Sequence, residues 1–491
     1  MNVHPKAPTG EASPTTAVKM AWTVTGVCCF YYLFLITNGD FSLFEPEVLG
    51  NVFDRMAWNL LHWQFTIEPE IIGREAFIWK GQTYAYFAIF PALLRVPLVV
   101  LYGAEIPNMS RISCWLALFI AAIGSVSIIL RVHGSLPRSR EQDRLMYVIL
   151  VATLLTQPML SITFTAWIYN EPIVWGTAFS ILFLNLLLVQ VGSPDPSTRF
   201  RWFAMGALAG LTFSVRPPPA LAMTLALAIA ILLFAIVPPA SSIPRLSGRT
   251  GRFLHAAVYG GLGFLPTVAI ALLVNWERWG DPTIFAPLNA NVQVLEDAHR
   301  LHIATTQGVF TLARIPLGIC YYFFGMINDK WTAAQADRLV DSLGWPRSAL
   351  VLTSSTQLVL GLVGIVCMRR DRLPASLRHV AALNLLTVPV ALAGMLLMLI
   401  YMNYRYRFEF LPVLVASSLI GAIAFANFRP SSARAFSWAL IVLVGLNVMG
   451  SHLDLLQAKL ASFAQGEATK ERIIKYTWPA SRLFVSPRPS N

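Results

Sequence analysis

Residues 37–87 read TNGDFSLFEPEVLGNVFDRMAWNLLHWQFTIEPEIIGREAFIWKGQTYAYF. The stretch starts where one strongly apolar run stops and ends where another begins. It gathers seven acids, Asp40, Glu45, Glu47, Asp54, Glu68, Glu70 and Glu75, among a dense set of aromatic residues. Within it, Val48, Val52, Phe53, Met56, Ala57, Leu60 and Leu61 recur at helical spacing. That pattern predicts an amphipathic helix over 47–63 lying along the membrane surface, with Asn51 and Asp54 on its more polar side. Farther on, residues 75–87 predict a small hairpin turning at Lys80-Gly81. The Trp and Tyr residues there suit a membrane interface.

The rest of the chain is mostly apolar. Of its 491 residues, 56% are hydrophobic and 13% charged, where a soluble domain carries about a quarter charged residues. Apolar segments recur at 20–37, 110–130, 145–162, 173–191, 202–215, 218–237, 255–274, 349–368, 380–401, 409–426 and 435–450. Most approach or reach the roughly 17–25 residues that cross a bilayer as helix. The expected fold is therefore all-α and polytopic, with about 11 transmembrane helices plus interfacial helices. Segment 202–215 is short and runs into Arg216 and three prolines, so it is expected to break before crossing. Segment 88–103 is short and interrupted by Pro91, Arg95 and Pro97, which predicts an interfacial or re-entrant piece. The run 20–37 has no small-residue cleavage site after it and reads as a retained first helix.

The net charge of +12 does not point to nucleic acid here. Arginines cluster in the short connections 131–144, 192–201, 238–254, 369–379 and 427–434, as the positive-inside rule expects of cytoplasmic loops. The same rule puts the tail 1–19 in the cytoplasm. It places the long loops 38–109 and 275–348 and the tail 451–491 outside, around a transmembrane domain over 20–450. Cys28, Cys29, Cys114, Cys320 and Cys367 sit in or beside apolar segments, with neither a disulfide framework nor metal-ligand spacing.

Three later elements complete the pattern. Glu171 stands before Pro172 in the second outer loop, 163–172; Gly280-Asp281-Pro282 follows a later span; and Tyr404-Arg405-Tyr406-Arg407-Phe408-Glu409-Phe410-Leu411-Pro412 opens another. In this order the elements resemble the GT-C superfamily of integral-membrane glycosyltransferases, over roughly residues 20–425. That superfamily includes the protein O-mannosyltransferases, the lipid A aminoarabinose transferase and the oligosaccharyltransferases. The resemblance implies a polyprenyl-phosphate-linked sugar donor, an extracytoplasmic active site in the bacterial inner membrane, and a glycan, lipid or protein acceptor. It also implies an acid in the first outer loop. In such a reaction a carboxylate takes the acceptor hydroxyl's proton and arginines hold the departing phosphate.

For the base the candidates are Glu47, Asp54, Glu45 and Asp40. The resemblance sets the acid near the start of the surface helix, before an aromatic-Ala-Leu pattern read here as Phe53, Ala57, Leu60-Leu61 and Trp63. Glu47 fits the helix start and Asp54 fits the distance from the first span; the superfamily's Asp-Glu pair is absent. Glu171 matches the second-loop acid, and equally suits the N-terminal end of a helix dipole. Arg405 and Arg407 are the expected phosphate ligands, since paired arginines near lipid call for an anion, with Arg216 beside them. Arg95 and Arg314 read as reaching headgroups. Some members of the superfamily use a divalent cation (Mg or Mn). Glu296, Asp297, His299 and His302 read as an exposed amphipathic helix rather than a metal cluster. The competing functions are a transporter or flippase of a lipid-linked glycan, which would place charges mid-span and show repeated halves, and a polysaccharide polymerase or ligase, which would give 275–348 the larger role. Gly260-Gly261-Leu262-Gly263, inside a span, predicts close helix packing.

Overall fold

The structure, a computed structural model, describes residues 14–136, 138–192, 199–236, 248–325, 349–368, 402–426 and 430–477, with Gly394, 397–399 and Phe428. Outside the described residues fall the tail 1–13, most of the expected span 380–401, the arginines of 369–379 and part of the loop 275–348. In chain order the main helices are α1 (Pro14–Ile36), α2 (Val52–Leu61), α3 (Phe90–Tyr102), α4 (Ser110–Ser135), α5 (Arg140–Leu154), α6 (Asn170–Gly192), α7 (Arg199–Thr212), α8 (Pro217–Ile236), α9 (Arg249–Trp279), α10 (Ala298–Thr306), α11 (Ser355–Met368), α12 (Leu411–Phe425) and α13 (Pro430–Thr477). Eight described helical segments are long and apolar enough to cross a membrane, and three more, Phe90–Tyr102, Leu312–Phe324 and Ser355–Cys367, are apolar but shorter. The protein is an all-α polytopic membrane protein.

Segment 202–215 forms a 14-residue helix, α7, that stops ahead of Arg216, as its short length predicts. One departure from the sequence expectation is local: segment 349–368 splits at Ser354 into Leu350–Thr353 and α11.

The bundle packs where small residues let backbones meet. A methyl group on Gly206 would fall 2.0 Å from the Gly260 carbonyl oxygen, and one on Gly263 would fall 2.0 Å from that of Phe203. Helices α7 and α9 are thus in backbone contact along a glycine seam. The main core runs through α1, α4, α5, α6 and α12, from Tyr32 through Leu118 and Phe183 to Leu419.

The first long loop is a folded cap with its own core. Val52, Phe53, Met56 and Ala57 of α2 bury against Phe87, Ala92, Val99 and Ile168. Strands β1 (Phe77–Trp79) and β2 (Gln82–Tyr84) pair antiparallel, with Lys80 and Gly81 at positive φ in the turn between them. The cap is sewn to the second long loop, 275–348, and to the end of α9 ahead of it. Val292 N donates to the Ala76 carbonyl at 3.0 Å, Arg74 bonds Glu296 at 2.6 Å, and Trp79 Nε1 donates to the Trp279 carbonyl at 3.0 Å.

Candidate active site

Helix α2 carries Asp54 inward beside its buried apolar side, while Asn51 stays exposed; the amphipathic pattern suggested that both lie on the polar side of a helix resting on the surface. Asp54, in its first turn, is 6% exposed. The reason is Arg95 of α3, whose side chain is 1% exposed. Its Nε donates to Asp54 Oδ1 at 2.6 Å. Its Nη1 and Nη2 donate to Glu171 Oε1 and Oε2 at 2.7 and 3.0 Å, and Nη1 also reaches the Pro91 carbonyl at 2.8 Å. Arg95 therefore does not snorkel to headgroups as expected. It is a buried fork between two acids from different loops, the geometry in which a guanidinium is strongest. Burial pushes Asp54 up to about 6, with Arg95 opposing the rise.

Glu47 lies ahead of α2 rather than at its start. Its Oε1 accepts from Arg111 Nε at 2.7 Å, and the backbone of Ala166 also hydrogen-bonds its carboxylate. Burial raises its carboxyl, and Arg111 and Lys459 pull it back. Arg111 further donates to Ser42 and stands 3.9 Å from Asp40. Asp40 itself is exposed, held below the usual carboxylate range by its bonds to the Ser42 hydroxyl and amide. Glu45 is exposed. The acids are thus separated into an Asp54–Arg95–Glu171 triad and a Glu47–Arg111 pair.

The arginines expected at the phosphate divide as well. Arg216 is neutralised by Glu409 at 2.6 Å and lies over the Tyr406 ring at 4.5 Å. Arg407 is fully buried, 4.0 Å from Asp454, with Nε, Nη1 and Nη2 making no hydrogen bond. Arg405 is half-buried and has no carboxylate partner among the described residues; its guanidinium lies 4.4 Å over the Tyr169 ring, and its Nε is buried without a bond. Tyr169 is two residues before Glu171, so Arg405 borders the acid triad through one ring. Arg314, expected at headgroups, is fully buried and bonds the carbonyls of Gly308, Val309 and Met398.

Sequence reasoning missed Arg95 and Arg111 as partners of the acids. The signal was present for Arg95: a cation inside an apolar segment needs an anion. It also missed Tyr321 and Tyr322, which a π-helical turn at Cys320–Phe324 packs beside Arg407.

The described residues of this site offer no ligand set for a divalent cation. The Arg95 guanidinium already stands between Asp54 and Glu171, and no group of three His, Cys, Asp or Glu among the described residues could hold one. Asp297 caps α10 through the His299 and Arg300 amides, and Glu296 is taken by Arg74.

No protein-family model matches the chain, and no curated protein matches it. Among solved structures it is similar to the apo oligosaccharyltransferase of Archaeoglobus fulgidus, at 16% identity and TM-score 0.49, over 89% of this chain and 56% of that one. It is similar to the oligosaccharyltransferase AglB from the same organism in complex with an inhibitory peptide and a dolichol-phosphate, at 14% identity and TM-score 0.46, over 90% and 56%. It is similar to ArnT from Cupriavidus metallidurans bound to undecaprenyl phosphate, at 13% identity and TM-score 0.47, over 92% and 78%. The chain spans little more than half the length of the oligosaccharyltransferase structures.

Proposed function

We propose that this protein is a glycosyltransferase that moves a sugar from a polyprenyl-phosphate carrier to a glycan, lipid or protein acceptor. The reaction takes place at the extracytoplasmic face of the bacterial inner membrane, with the N-terminus in the cytoplasm. The observation that carries the reading is the meeting of two unlike parts. Asp54 and Glu171, from separate loops, converge on Arg95, and Arg405, a half-buried cation with no acid of its own among the described residues, lies one ring away.

Asp54 is the base. Its Oδ2 makes no hydrogen bond to the described residues, and a carboxyl near 6 accepts a proton more readily than an ordinary one while staying ionised at neutral pH. Glu47 is the weaker candidate, because its carboxylate is already bound by Arg111 and the Ala166 backbone. Glu171 spends both oxygens on Arg95 and so orients it. In the reaction the acceptor hydroxyl loses its proton to Asp54 Oδ2 as its oxygen bonds the sugar's anomeric carbon. The bond from that carbon to the phosphate oxygen breaks, and the phosphate leaves with the electron pair. Arg405 holds the phosphate, with the unbonded donors of Arg407 in the same 404–410 turn. Arg216 is bound to Glu409 and shapes the turn.

The test is turnover of radiolabelled polyprenyl-phosphate sugars by purified wild type, Asp54→Asn and Glu47→Gln. Transfer by wild type and by Glu47→Gln, lost in Asp54→Asn, is expected. Absence of transfer from every such donor would remove the reading.

A further inference from the structure

One half-buried acid plays no part in that chemistry. Glu75 ends the short turn before β1, and its Oε1 accepts both the Tyr169 hydroxyl and Gln293 Nε2, the latter at 2.7 Å. Three loops therefore meet at one carboxylate: 38–109 supplies Glu75, 163–172 supplies Tyr169 and 275–348 supplies Gln293. Tyr169 is the ring that carries Arg405, at 4.4 Å from guanidinium carbon to ring centroid. The ring also packs edge-on against Phe87, centroids 5.8 Å apart. A phenol that donates to a carboxylate shifts electron density into its ring. It thereby strengthens the attraction of the ring face for a cation, and the hydrogen bond also fixes the plane of the ring.

We propose that Glu75 is a positioning residue for the lipid-phosphate ligand: it holds and polarises Tyr169, and so sets the pose of Arg405. The inference rests on the donor reading above. Glu75 touches no substrate and moves no proton. Its effect falls on phosphate affinity and leaves the acceptor and the chemical step alone.

A double-mutant cycle distinguishes this relay from a merely structural tie. The full chain, purified in detergent, is titrated with a polyprenyl phosphate. Glu75→Gln and Tyr169→Phe are each expected to weaken binding by at most about three- to fivefold, the size of one whole partly exposed cation–π contact, because both keep a ring beneath Arg405. The double variant should be no weaker than either single one, since both changes cut the same link. Arg405→Ala should lose more than either. In turnover, both single variants should raise the donor KM by a similar factor and leave kcat and the acceptor KM unchanged. Full affinity in Glu75→Gln, independent losses that multiply in the double variant, or a fall in kcat without a change in donor KM would overturn the relay. Failure of the wild type to bind polyprenyl phosphate would instead remove the donor reading, and the relay with it.

Discussion

Two acid–arginine clusters occupy the first long loop, and they are built differently. In one, Arg111 and the Ala166 backbone hold Glu47, and Arg111 goes on to bind Ser42. In the other, Arg95 bonds one oxygen of Asp54 and both of Glu171. The first cluster joins the loop to α4 and gives its acid a backbone partner besides the arginine. The second draws acids from two loops to one buried cation, and among the described residues Oδ1 is the Asp54 oxygen that is bonded. An acid in such a loop is thus not a base by position alone. What counts is which partners its carboxylate already has.

The largest expected difference between the clusters is in folding. Arg95→Met leaves two buried carboxylates uncompensated and should cost about 3–5 kcal/mol, read as a large fall in the unfolding temperature in detergent. Arg111→Met should cost less, about 1.5–3 kcal/mol, because it removes hydrogen bonds to one acid that keeps its backbone partner. Equal losses would mean that the two clusters carry the same structural weight.

A second difference lies in pH. The Asp54 carboxyl is raised above its ordinary value to about 6, so the folded protein binds that proton more tightly than the unfolded chain. The stability this contributes is fully present below the ordinary value near 3.8 and is lost as pH rises through about 6. Catalysis runs the other way, since the base must be ionised. The donor kcat/KM should climb with pH through about 6 and level off above it. A profile flat from pH 5 to 8 would remove Asp54 from the proton transfer. The smallest effects belong to the exposed acids. Asp40→Asn and Glu45→Gln should change kcat by less than about twofold, as surface substitutions do, and a larger loss would draw the site toward the Arg111 cluster.

The bundle was legible from the sequence because apolar length and arginine-bearing connections are local signals. So were the hairpin at Lys80-Gly81 and the glycine seam of α9. Asp54 stood out as an acid in the first loop, and Glu171 and Arg405 as charges at the ends of spans. Arg95 did not, because its partners lie 41 and 76 residues away in the chain and no spacing encodes such a pairing. For the same reason the helical pattern grouped Asp54 with Asn51 on the polar side of α2. Without knowledge of Arg95, both are assigned to water, whereas Asn51 is exposed and Asp54 faces a buried cation. The pairing of Arg216 with Glu409, 193 residues apart, likewise became visible only in three dimensions, and it separates Arg216 from the arginines whose donors stay open.

The most direct test compares one carboxamide substitution in each cluster. With a radiolabelled polyprenyl-phosphate sugar at saturation, Asp54→Asn should lower kcat by about 10²–10⁴-fold, the usual worth of a positioned general base. Glu47→Gln should stay within about threefold of wild type, with no proton transfer to lose. Wild-type turnover in Asp54→Asn, or its loss in Glu47→Gln alone, would contradict the assignment and move the base to the Arg111 cluster.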